Sequence, residues 1–309
     1  MSNPIDGPRA KLIRGLEHVA ALKAEYLSTF GADGPVRVGV EQHYDPDAQA
    51  WVVTLHDVPE PSARLGLIAG DAVHNFRAAL DHLILVLAIL DSGVEPKGGR
   101  TQFPITSSRA AFTEKGLQTR LLEGVAPHHV AVIERHQPFH AAEDDPGALH
   151  PLSVLNDLDN DDKHRTIQPA FVAAEDFGMR VPSRGENCES TGAMSGTTPL
   201  GGPLQSGTEV LRLPLRITGP DPKMDVQCRA SLKLVLRNGL PLIEALEVIA
   251  GYVAEVLQEF AAELDSDEAV ARWTAVEGRF GQFQDLAAHR VTVTAVHERN
   301  CQMLWTEWE

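Results

Sequence analysis

Two stretches of this chain place imidazole, carboxylate, amide and guanidinium groups at helical spacing: Gly70 to Leu83, and Asn156 to Arg165. At 100° per residue, Asp71, His74, Asn75, Ala78, Asp81 and His82 fall within an arc of about 120°, with Arg77 at its edge. On the second stretch Asn156, Asp157, Asn160, Lys163 and His164 share one side, and Val154, Leu155 and Leu158 another. Asp71-x-x-His74 and Asp161-x-x-His164 are carboxylate–imidazole pairs at i, i+3, the spacing at which helical bundles project ligands toward two iron or manganese ions. These four residues are a candidate ligand set for a divalent transition metal, with His82 or Asp157 as a further donor, in a hydrolase or oxygenase. Against the set stand Asp in place of the longer Glu and the lack of two more inward carboxylates. Alternatively the groups satisfy one another. Asp81 would pair with Arg165 or Lys163, Asn75 with Asn160, and His74 or His82 would donate to a backbone carbonyl. Such a polar lock fixes how helices pair and leaves function to partner binding by a non-enzymatic protein.

The first stretch runs straight into Leu83 to Leu90, which is apolar on every side. A helix apolar all round is buried, so its polar stripe is expected to face inward, where unpartnered charge is costly. The helix is predicted over 63–90, the second polar helix over 151–164 with Pro151 at its first turn. Around them the pattern predicts an amphipathic helix at 8–30 and a hairpin from 36–44 and 51–55, turned by Asp45-Pro-Asp-Ala. Shorter helices are expected at 108–121 and 126–136, and a long one at 239–264. Strands are expected at 170–181, 209–217 and 224–236, around a Gly/Ser/Thr-rich loop at 183–208. The reading is α+β: a helical bundle with a β-hairpin and a small antiparallel sheet. It divides the chain into a mainly helical 1–168, strands plus a helix packing on the same core at 169–265, and a tail at 266–309 suited to oligomer contact. The tail holds an alternating Val291 to Val296 and three of the four tryptophans.

With 309 residues, 43% of them hydrophobic, the chain can bury a full core. Its 27 basic and 43 acidic residues give a formal charge of −16, which opposes broad non-specific binding to nucleic acid or membrane. The three cysteines, Cys188, Cys228 and Cys301, have no disulfide or zinc-ribbon spacing, as in a reducing cytoplasm. No secretory leader is expected at Met1 to Pro8, and the apolar runs fall well short of the roughly 20 residues that span a bilayer. A cytoplasmic, soluble protein is the expectation. No nucleophile elbow, phosphate-cradling loop or dinucleotide fingerprint occurs.

The blocks Gly-Asp-x-x-His-Asn-x-Arg-x-Ala-Leu-Asp-His (Gly70 to His82), Gln-Phe-Pro-Ile (Gln102 to Ile105) and Asn-x-Asp-Lys-His-Arg (Asn160 to Arg165) resemble a widespread family of uncharacterised bacterial proteins, common in actinobacteria. The likeness spans roughly residues 10 to 265 and carries no activity. Arg77-x4-His82 is also similar to the Arg-x4–6-His motif of HEPN domains, helical bundles of toxin and antiviral systems, although Ala78 follows the Arg where active members often have a polar residue. That resemblance implies a metal-independent, RNA-acting homodimer with no cofactor. His82 would then be the general acid or base toward a ribose 2′-hydroxyl, and Arg77 would stabilise phosphorane charge. Catalytic candidates are Arg77, His82, His74, Lys163 and His164; binding candidates are Asn75, Asp81, Asn160 and Arg165, toward RNA or a nucleotide. Elsewhere, His128 and His129 are expected to be exposed, and His136 and His140 to serve a turn. Phe103 and Ile105 are expected to pack as a plug, and the tail aromatics to make core or oligomer contacts.

Overall fold

The structure, a computed structural model, describes residues 3–30, 39–96, 101–144, 149–164, 166–167, 169–173, 178–192, 205–229, 232–236 and 238–280. Arg165, the alternating segment at 291–296 and the tail aromatics beyond 280 lie outside them, as does the side chain of His164. The fold is α+β. Residues up to Ala21, Leu67–Ile167 and the described chain from Glu244 form one compact unit; Leu22–Gly66 and Gln168–Ile243 form a second. The expected hairpin therefore belongs with the later strands, because only they complete its sheet.

In the second unit β1 (Gly39–Asp45) and β2 (Ala50–His56) pair antiparallel. Asp45 caps the turn by accepting from the Asp47 and Ala48 N–H groups, both at 3.1 Å. Strands β3 (Ala170–Ala173), β4 (Gly178–Arg180), β5 (Arg184–Gly185), β6 (Cys188–Ser190), β7 (Glu209–Ile217), β8 (Gln227–Arg229) and β9 (Leu232–Val235) follow. One sheet runs β1-β2-β7-β6-β5, and β3-β9 and β4-β8 are separate antiparallel pairs. The segment expected as a loop at 183–208 thus contributes two sheet strands. They are joined at Asn187, whose positive φ of 59° makes the tight turn.

The first unit is helical. Its central helix α2 (Ala63–Ser92) follows α1 (Asp6–Phe30). Val73, Phe76, Leu80, Leu83, Ile84 and Leu87 on α2 are fully buried, as its apolar second half requires. Among the described residues, α2 is the one helix long and apolar enough to cross a membrane, and 67% of its apolar window is buried inside the protein. It is a core helix. The α1 segment up to Ala21 packs on it antiparallel: a Cβ at Gly15 would lie 2.4 Å from the Phe76 ring, so only glycine lets the backbones come this close.

The expected helix at 108–121 is two, α3 (Arg109–Thr113) and α4 (Lys115–Leu121), broken where Glu114 turns extended. Next come α5 (Pro127–Arg135), α6 (Pro138–Asp144) and α7 (Pro151–His164). Helices α8 (Leu242–Leu264) and α9 (Asp267–Phe280) complete the described chain.

Candidate functional site

The two polar stretches meet on one side of α2. A Cβ at Gly70 would lie 2.2 Å from Asp162 Oδ1, so α7 crosses α2 at a glycine. Burial, then Asp71 and Asp159, push the Asp162 carboxyl above the ordinary range, with His74 opposing them. The α7 residues that turn toward the interior are Asp159, 5% exposed, and half-buried Asp162, while Asp157, Asn160 and Asp161 are exposed. Helical spacing explains the selection. Leu155 and Leu158 are buried, and Asp159 and Asp162 each follow one of them at i+4. Lys163 reaches back to Asp159 at 2.6 Å.

Arg77 and Asp81 form the best-defined part of the cluster. Their side chains, 13% and 24% exposed, approach to 3.3 Å. Arg77 Nη2 donates to the Phe103 carbonyl at 2.7 Å, and Asp81 Oδ1 accepts from the Phe103 N–H at 2.9 Å. The pair thus grips both polar groups of one peptide residue. Phe103 beneath it is fully buried, as expected of a plug, while Ile105 is half-buried. Gln137 secures the rest of the segment, accepting from the Thr106 N–H and donating to the Pro104 carbonyl. Burial pushes the Asp81 carboxyl up, and Arg77 and the Phe103 N–H pull it only part of the way back. Arg77 Nη1 is buried without a partner among the described residues.

The remaining expected site residues are dispersed. His82 leaves α2 toward α1, where a Cβ at Gly7 would come 3.8 Å from its Nδ1. Partial burial there and the nearby Lys11 lower its pKa. Within one chain, Arg77 and His82 therefore engage different neighbours. Asn75 donates within its own helix to the Asp71 carbonyl, not across to the exposed Asn160. Asp71 and His74 are exposed, Asp71 lying 4.0 Å from His18. They face Asp162, and Asp161 points to solvent one position away.

Two histidine networks were not anticipated. His129 is buried, unlike the exposed His128, because its Nδ1 lies 2.8 Å from Asp91 Oδ2 and its Nε2 3.1 Å from Glu263 Oε2. Burial alone would push His129 down, but Asp91 and then Glu263 outweigh it and hold the imidazole above its ordinary value.

The second network is a chain of hydrogen bonds from His150 through Tyr252 and His136 to Glu259. Leu152 N–H donates to His150 Nδ1, so His150 donates from Nε2 to the Tyr252 hydroxyl at 3.1 Å. The Tyr252 hydroxyl also lies 3.2 Å from His136 Nδ1, and His136 Nε2 pairs with Glu259, which Arg135 also holds. His136 does cap α5, as a turn residue would, but it also joins α5 and α7 to α8. A sequence reading has little to find here, since the partners lie more than 100 residues apart.

A surface cavity of about 530 Å³ is lined by residues including Arg180, Arg184, Lys223 and Gln227, and one of about 630 Å³ by residues including Gln42, Thr54, His56 and Ser206; neither draws on the polar stretches. Compared with family models, curated proteins and solved structures, the chain matches none.

Proposed function

We propose that this is a non-enzymatic, partner-binding protein whose two polar stretches act first as an internal lock. The observation that supports the reading is the grip of Arg77 and Asp81 on both backbone groups of Phe103. A guanidinium already committed to a carbonyl and a carboxylate is poorly placed to follow charge developing on a substrate. The exposed remainder of the cluster, Asp71, Asp157 and Asp161 with His74, together with half-buried Asp162, is acidic and selects a cationic partner. Partial burial raises the pKa of Asp157 and Asp162, with Asp161 adding to the first and Asp71 and Asp159 to the second, a cost that a bound cation relieves.

The rival RNA-acting reading draws on one observation, the uncommitted Arg77 Nη1. The test separates the two. Arg77→Ala and Asp81→Ala are each expected to lower stability by about 2–4 kcal/mol, since each strands a buried polar partner. His82→Ala is expected to leave the melting temperature within a degree or two, and the wild-type protein to leave labelled single-stranded RNA intact. Cleavage of that RNA, abolished by His82→Ala in a folded protein, would overturn the lock reading.

A further inference from the structure

Among the described residues, His128, His129 and Glu263 bring one ligand atom each within 4.8 Å of one another. His129 Nε2 lies 3.1 Å from Glu263 Oε2, and His128 Nε2 3.9 Å from Glu263 Oε1. Tetrahedral bonds of about 2.0–2.1 Å place ligand atoms about 3.3 Å apart, so small rotamer adjustments close the set on one ion. We propose that these three side chains form a binding site for a zinc-class divalent ion, with a fourth position open to water.

Three features distinguish this group from a chance cluster of surface charge. Asp91 Oδ2 accepts from both the Ala126 N–H, at 2.7 Å, and His129 Nδ1. That bond orients the ring and aims Nε2 at Glu263, where it supplies its lone pair to an ion that displaces the Nε2 proton, the arrangement in which a carboxylate behind a ligating histidine sharpens metal affinity. His129 is wedged against buried Phe260, with ring centroids 5.7 Å apart, so its ring is held in place before any ion arrives. Finally, His128 and Glu263 are 65% and 60% exposed, so the ion has an open path and a solvent-facing coordination position. Two imidazoles and one carboxylate are nitrogen and oxygen donors suited to zinc, cobalt or nickel rather than calcium or magnesium. Glu263 sits in the last turn of α8, where the helix carbonyl end favours a cation.

The test uses the full-length chain with zinc chloride, by equilibrium dialysis and elemental analysis, and with cobalt chloride, by visible absorption. The expected result is one tightly held ion per chain and the intense bands of four-coordinate cobalt. His128→Ala alters an exposed side chain and is expected to melt with the wild type, whereas Glu263→Gln keeps an acceptor for His129 Nε2 but loses its charge and is expected to melt slightly lower; both are expected to lose affinity by at least about tenfold. Asp91→Asn, a positioning change, is expected to lose about 10–100-fold. Equal zinc uptake by wild type and both exposed-residue variants would overturn the proposal, as would no uptake, or a weak six-coordinate cobalt spectrum. None of these outcomes bears on the lock at Arg77 and Asp81.

Discussion

His150 shows how one side chain couples chemistry to stability. Its place in the chain to Tyr252, His136 and Glu259 requires the neutral ring, because Nδ1 must accept from Leu152. Burial, with His136 close by, lowers the His150 pKa, and burial pushes the Tyr252 hydroxyl up to about 12. Glu259 is held below the ordinary range because Arg135 and His136 outweigh its burial. Both the lowered histidine and the lowered carboxylate bind fewer protons folded than unfolded, so stability from this network rises with pH. It is complete above the unfolded histidine value of about 6.5 and is lost on acidification, with Glu259 adding to the loss below about 4.3. Urea midpoints measured from pH 7 to pH 5 should fall less steeply in His150→Gln than in wild type; parallel curves would refute this account. Asp159 carries a complementary lesson, since a carboxylate in an Asp-rich run turns inward when it follows a buried leucine at i+4.

Among the elements, α2 organises the helical unit through two close approaches at glycine. Alanine ordinarily favours a helix interior over glycine by about 1 kcal/mol. At Gly15 the sign reverses, because the new methyl would meet the fully buried Phe76 ring. Gly15→Ala is expected to cost about 1–3 kcal/mol in chemical denaturation. Gly70→Ala meets first the movable tip of Asp162 and should cost less, so the opposite ranking would contradict this packing of α1 and α7 on α2. The hairpin β1–β2 is likewise incomplete by itself. Arg212 of β7 bridges Asp45 and Glu209, and Gln42 bonds both backbone groups of Val226.

For the whole molecule, neither compact unit is continuous in the chain. A cut at 168 removes α8 from the helices and β7 from the hairpin, so residues 1–168 should show no cooperative melt, checked by circular dichroism; a sharp transition would mean that the polar helices form a core without α8. The sequence alone was enough to read the α+β class, the long buried helix and both polar stretches, because these follow from periodicity and from turn residues acting over a few positions. Arg77, Asp81 and Phe103 all lie within the three sequence blocks, yet the pattern predicts Lys163 or Arg165 as the partner of Asp81. A pattern of residue types says which groups need partners and not which partner lies in reach. The face of α7 that turns inward, the burial of His129 by Asp91 and Glu263, and the relay through Tyr252 were settled only by the tertiary structure. Each depends on contacts across long stretches of chain, where packing of the core, rather than local preference, selects among groups of equal chemistry.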